Sequence, residues 1–231
     1  MIFGGKVMIE YVKQEVVQLL NQDNSGHGMD HINRVLDLSL KFSEKEKAKK
    51  EIVSLIALLH DVDDYKLFGK ENAEKLTNAK RIMINCKVDT NIQETVCLAI
   101  QNIGYSKRLK GFCPTTIEGK IVSDADMCDA IGANGILRTY KYSIKNGKPF
   151  FDRNIFPMKE INVNKYSSKC ADSCVCHIFE KLLKLKNLML TNAGKKEAIN
   201  RHQIIVDFLY QLFEEESAYE WIEYLDNYLN K

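Results

Sequence analysis

With 231 residues, 45% of them hydrophobic and 28% charged, the chain has the make-up of an ordinary globular protein with enough length for one substantial core, which excludes a disordered or collagen-like chain. A net charge of +2 is too small to argue for nucleic acid or an anionic membrane as partner. No apolar run reaches the roughly 18 residues that would suggest a membrane span.

Only three prolines occur, and apolar residues recur at helical spacing along most of the chain. Ile9, Val12, Val16, Leu19 and Leu20 predict a first helix, broken at Asp23-Asn24-Ser25-Gly26. A second follows with Ile32, Val35, Leu36, Ser39 and Phe42 on one face. A third begins near Glu51 and carries His60-Asp61 close to its C-terminal end. Two more fit 70–85 and 89–102, and 117–142 reads as one long helix. Residues 143–170 differ, with Gly147, Pro149, Pro157 and the phenylalanines Phe150, Phe151 and Phe156. A loop of that length inside a domain is often a lid or binding loop, and its aromatics are expected to line a slot for a base or sugar. Helical patterns resume over 172–190 and 194–213, and a short last helix holds Trp221 and Tyr224. No strand pair or internal repeat is evident. The expectation is a single all-α domain over 1–231, with core motifs in 25–142 and a C-terminal helical portion, 172–229, packed on it.

Five histidines are few enough to weigh singly. His27 and His31 are four apart, which puts both on one helix face if the helix starts early enough. His60-Asp61 closes the apolar run Ile56-Ala57-Leu58-Leu59, where a buried imidazole and carboxylate are costly unless paired or bound to a metal. Asp63 and Asp64 follow at once, and Asp124, Asp126 and Asp129 lie on a later helix. Taken alone, a His-Asp pair is more often a satisfied core feature, and Asp124 and Asp129 read as solvated acids. As a set they change weight. A histidine on one helix, a His-Asp on the next and an aspartate on a later one can converge inside a bundle, as metal sites in helical bundles do. Two imidazoles and two carboxylates suit Mn²⁺, Mg²⁺, Co²⁺, Ni²⁺ or Fe²⁺ better than a structural zinc. Such an ion lowers the pKa of a bound water and neutralises charge on a phosphoryl group.

Cys170-Ala-Asp-Ser-Cys174-Val-Cys176-His177 is a competing cluster, but it lacks the paired spacing of structural zinc sites, and its thiols are expected to stay reduced. His202 reads as a capping or surface residue. Lys181, Lys184 and Lys186, with Arg138 and Lys141, are basic residues whose simplest reading is a solvated face. The functional reading is contact with substrate phosphates.

Three stretches resemble the HD-domain hydrolases, and within them the YpgQ/YedJ-like group. They are His27-Gly-Met-Asp-His31-Ile-Asn-Arg34-Val, Ala57-Leu-Leu-His60-Asp61-Val-Asp-Asp64, and Glu118 to Thr139 with Asp124-Ala-Asp126-Met-Cys-Asp129 at its centre. A fourth, His177-Ile-Phe-Glu-Lys181-Leu-Leu-Lys184, follows in the right order. The resemblance implies an all-α helical bundle with one divalent ion on His31, His60, Asp61 and Asp126. It implies Asp64 as general acid or base beside Asp61, and a metal-dependent phosphohydrolase acting on nucleotides, in some members a (d)NTP pyrophosphohydrolase. On this reading His27, Arg138, Lys141, Lys181 and Lys184 contact the substrate. The alternatives are a nucleotide-sensing or partner-binding module without turnover, or an iron-dependent oxygenase, which would require a second iron and further histidines. With no signal-peptide pattern at the N-terminus, the expected location is cytoplasmic, as monomer or homodimer.

Overall fold

The segment Lys50–Leu59 is apolar on all sides beyond its first turn, and a helix of that kind has to sit inside. In the computed structural model, which describes residues 5–20, 28–158 and 172–230, every residue from Val53 to Leu59 is buried. Around this helix, α3, pack α1 (Gly5–Leu20), α2 (Met29–Glu46), α6 (Thr90–Gln101) and α8 (Ile117–Asp129), and α2 also runs against α8. Each brings an apolar stripe at helical spacing. In α1 it is Met8, Val12, Val16 and Leu20, and in α2 it is Ile32, Val35, Leu36 and Phe42. Burying side chains of this size stabilises by roughly 1.5–3 kcal/mol each. All regular elements among the described residues are helical, so the fold is all-α as predicted.

The chain divides into two compact units, Met1–Asp129 with Leu190–Gly194, and Ala130–Met189 with Lys195–Lys231. In the first, Asp124 is fully buried on α8 and receives the Leu190 N–H at 2.9 Å and the Thr191 N–H and hydroxyl at 2.7 Å each. Gly194 passes so close that a Cβ there would stand 2.3 Å from Asp124 Oδ2. Asp63 is likewise structural, receiving the Asn78 and Ala79 N–H groups at 2.9 Å each in the first turn of α5 (Thr77–Asn85).

The long helix predicted over 117–142 is two. It stops at Asp129, Ile131 is extended, and α9 (Gly132–Lys145) starts at a glycine with φ +76°. The turn is tight, since a Cβ on Gly135 would come within 2.3 Å of the Ala130 carbonyl oxygen. Sequence periodicity runs through such a break because buried residues flank both sides of it.

In the second unit the aromatics at 150–156 take a different role from the one expected of them. Phe156 stacks on the buried Trp221 with centroids 4.5 Å apart, Phe151 meets Trp221 edge-on at 5.2 Å, and Phe150 meets Phe208 at 5.9 Å. Phe179 and Phe213 complete this cluster, and the Trp221 indole donates to the Arg153 carbonyl at 3.1 Å. The half-buried Phe150 and Phe151 and the exposed Phe156 thus pack against an aromatic cluster of their own unit instead of forming a slot by themselves. The rest of the 143–170 segment from 159 on lies outside the described residues. Residues 172–190 form a short helix, Cys174–Glu180, followed by a 3-10 turn, Leu182–Leu188. No helix among the described residues is long and apolar enough to cross a membrane.

Candidate metal centre

Three helix ends of the first unit carry the site. His31 lies in the first turn of α2, His60 caps the C-terminus of α3 with Asp61 in the turn beyond it, and Asp126 is in the last turn of α8. The four side chains meet. His31 Nε2 is 3.2 Å from His60 Nε2, 3.4 Å from Asp61 Oδ2 and 3.5 Å from Asp126 Oδ1. His60 Nε2 is 3.7 Å from Asp61 Oδ2 and 4.0 Å from Asp126 Oδ1. Among the described residues, the group of three or more metal-type donors found around one point is His31, His60 and Asp126. Asp61 borders it, with Oδ2 3.4 Å from His31 Nε2 and 3.7 Å from His60 Nε2.

Hydrogen bonds on the far side of each ring decide what these atoms offer. His60 Nδ1 is 2.8 Å from the Ala57 carbonyl, an acceptor only, so this nitrogen carries the proton. His31 Nδ1 is 2.7 Å from Asp129 Oδ2, and the same argument holds. Both Nε2 atoms are left to face two carboxylate oxygens. Four lone-pair donors at such distances repel one another unless a cation or a proton stands between them. The protein's own answer is a proton on His31. Burial opposes charging that imidazole, but its hydrogen bonds to Asp129 and Asp61 and the nearby Asp126 outweigh burial and raise its pKa to about 9. The donor set fits a divalent ion equally well, in place of that proton. Both imidazoles are buried, while the Asp61 and Asp126 side chains remain 17% and 25% exposed, so water reaches the centre from the carboxylate side.

Two residues to which the sequence gave no role support the centre. Asp129, read as a solvated acid, is buried and bonds His31, and Arg34 holds Asp129 through Nε at 2.6 Å and Nη2 at 3.1 Å. The signal was legible as His31-x-x-Arg34 facing Asp126-x-x-Asp129, each pair one turn apart on its helix.

Asp64 is the N-cap of α4 (Tyr65–Lys75), accepting the Lys66 N–H at 2.9 Å. The helix has already ended at Leu59, so Asp61 and Asp64 do not share a helix face. His27 lies outside the described residues. In the second unit Arg138, Lys181 and Lys184 are half-buried and Lys141 is exposed. Burial lowers the Lys184 pKa against the pull of Glu180.

Among the described residues the cysteine cluster forms no metal-type donor group. Cys174 and Cys176 are buried, burial pushes the Cys174 thiol up to about 12, and Cys176 donates to the Ile155 carbonyl at 3.2 Å. Cys170 lies outside the described residues. His202, read as a capping or surface residue, is buried within the helix Asn192–Glu215, and its pKa falls to about 4 through burial and the charge of Lys186.

Comparison with known proteins places this architecture. The HD domain family matches residues 28–131, which span all four converging side chains. The chain is 31% identical over 204 residues to the uncharacterised protein YpgQ of Bacillus subtilis, covering 88% of this chain and 91% of YpgQ. It resembles the crystal structure of an HD-superfamily hydrolase from Bacillus thuringiensis with a TM-score of 0.74 and 33% identity, covering 93% of this chain and 100% of that one. It also resembles the crystal structure of Bacillus subtilis YpgQ in complex with ADP, with a TM-score of 0.69 and 26% identity over 91% of this chain and 96% of the other. Fold, motif and relatives agree: the chain belongs to the HD-domain family, in its YpgQ-like group.

Proposed function

We propose that this protein is a divalent-metal-dependent phosphohydrolase acting on nucleotides, cleaving a (d)NTP by water into a nucleoside monophosphate and pyrophosphate. The observation that carries the reading is the approach of Asp61 Oδ2 and Asp126 Oδ1 to the two imidazoles at 3.4–4.0 Å, with His31 Nε2 and His60 Nε2 3.2 Å apart and both Nδ1 atoms already committed as donors. A bound divalent ion supplies a water of lowered pKa and positive charge against phosphoryl oxygens.

His31 and His60 are neutral donors held by their Nδ1 hydrogen bonds, and Asp61 and Asp126 bring the negative charge. Asp61 and Asp126 border solvent, the side from which a phosphate and a water arrive. Asp64 uses Oδ1 to cap its helix, and its second oxygen is the one assigned to carry a proton as general acid or base. We assign phosphate contacts to Arg138, Lys141, Lys181 and Lys184, with His27 as a further substrate contact. That YpgQ crystallises with ADP supports a nucleotide as ligand class.

The test is a panel of dNTPs, NTPs, nucleoside monophosphates and generic phosphoesters with Mn²⁺, Mg²⁺ or Co²⁺, reading phosphate and pyrophosphate release separately. Pyrophosphate from a triphosphate, abolished by EDTA, is the expected result. Phosphate from monophosphates alone makes the enzyme a phosphomonoesterase. Binding without turnover on every substrate overturns the enzymatic reading.

A further inference from the structure

We infer that Arg34 and Asp129 form a positioning pair that fixes the ring of His31 and keeps its Nε2 lone pair aimed at the centre. This rests on the metal reading above and adds two residues to it. Asp129 Oδ2 lies 2.7 Å from His31 Nδ1, which holds the proton on that nitrogen. A carboxylate free to rotate could not hold the ring. Arg34 removes that freedom with two parallel bonds, Nε to Oδ1 at 2.6 Å and Nη2 to Oδ2 at 3.1 Å.

Two costs argue that the arrangement is not there for stability alone. Asp129 is buried, at 1% exposure, and a buried carboxylate loses hydration that its partners must repay. It is also the last residue of α8, where the helix dipole disfavours negative charge and no basic residue sits in the last turn. An apolar residue there would pack without either cost. What it could not do is accept the imidazole proton. The helices share the work symmetrically: α2 supplies His31 and, one turn on, Arg34, while α8 supplies Asp126 and, one turn on, Asp129. The pair thus ties together the two helices that bring those candidate ligands, both within the first unit.

The experiment titrates Mn²⁺ calorimetrically into metal-stripped full-length protein and into Asp129→Ala, Asp129→Asn, Arg34→Ala and Arg34→Lys, with Asp126→Ala as reference. Histidine ring ¹⁵N spectra of the Zn²⁺-loaded proteins are recorded alongside. Asp126→Ala is expected to lose Mn²⁺ binding. Asp129→Ala should raise Kd by about 10–100-fold, the usual cost of removing such a partner. Arg34→Ala should raise it less, and Arg34→Lys should fail to restore it, because an ammonium cannot make the fork. The slowly exchanging His31 Nδ1 proton should vanish in Asp129→Ala. If Asp129→Ala does not fold, Asp129→Asn, of the same shape, and Arg34→Ala, at a half-exposed residue, carry the test. A merely structural pair would lower melting temperature yet leave Kd and the ring signal of the folded protein unchanged, and that result overturns the inference while the metal reading stands. If Asp126→Ala binds Mn²⁺ like the parent, the metal reading itself fails, and the inference with it.

Discussion

His31 Nε2 lies 3.2 Å from His60 Nε2, with Asp61 and Asp126 oxygens 3.4 Å and 3.5 Å from the first ring. With both Nδ1 atoms bonded to acceptors, a cation or a proton has to hold this group together. Each consequence can be measured.

Removing a donor should cost more than removing its support. His60→Ala or Asp61→Ala is expected to lose Mn²⁺-dependent turnover by well over the roughly 10–100-fold typical of an outer hydrogen-bond partner. Thermal melting gives an independent reading. Mn²⁺ should raise the melting temperature of the parent, since it binds the folded state, and should leave that of either variant unmoved.

Proton and ion compete at the same place. The His31 pKa is raised from 6.5 to about 9 in the folded, metal-free protein. The folded state therefore holds the proton more tightly than the unfolded one. Its contribution to stability is fully present below pH 6.5 and is lost as pH rises through about 9. Melting of the metal-free protein between pH 6 and 10 should show that loss. Apparent Mn²⁺ affinity should rise over the same window, as the competing proton leaves. A flat profile in both would contradict the assignment.

Asp64 has one structural task and one proposed chemical one, and two substitutions separate them. Asparagine caps a helix about as well as aspartate, so Asp64→Asn should keep its melting temperature and lose about 10²–10⁴-fold in turnover. Asp64→Ala should lose turnover and also about 0.5–2 kcal/mol of stability. Full activity in Asp64→Asn would leave only the cap.

Asp124 and Gly194 form a lock in the first unit. Asp124→Ala strands the Leu190 and Thr191 N–H groups, at about 1–3 kcal/mol for each buried donor left unmade. Gly194→Ala drives a methyl to 2.3 Å from Asp124 Oδ2 and should cost about 1–3 kcal/mol by denaturant unfolding.

The aromatic cluster gives the opposite profile from a substrate pocket. Phe156→Ala removes a ring stacked on Trp221 at 4.5 Å, worth about 0.5–1.5 kcal/mol beyond its buried area. Chemical denaturation should show the loss, and KM for the nucleotide should not change. A raised KM without loss of stability would restore the pocket reading.

Much of this was legible in the sequence. The α3 run from Val53 to Leu59 could only be a buried helix, and the stripe of α2 set which face His31 occupies. Motif order added to local spacing put His31, His60, Asp61 and Asp126 forward as one candidate set, and the structure brings both carboxylates to within 3.4–4.0 Å of the two imidazoles. What the sequence hid had physical reasons. The stop at Asp129 depends on the left-handed φ of Gly132 and the close pass of Gly135 over Ala130, neither of which disturbs hydrophobic period. Asp124 and Asp129 looked like surface acids because their partners lie 66 to 98 positions away. Phe150, Phe151 and Phe156 read as pocket lining because composition shows that a loop carries aromatics, not what they pack against.

The central claim is tested most directly by diffraction from crystals grown with Mn²⁺, using the anomalous signal of the ion. The account expects one peak within about 2.0–2.6 Å of His31 Nε2, His60 Nε2 and an oxygen each of Asp61 and Asp126. A peak elsewhere, or one at this centre with Asp126 outside coordination range, would contradict it.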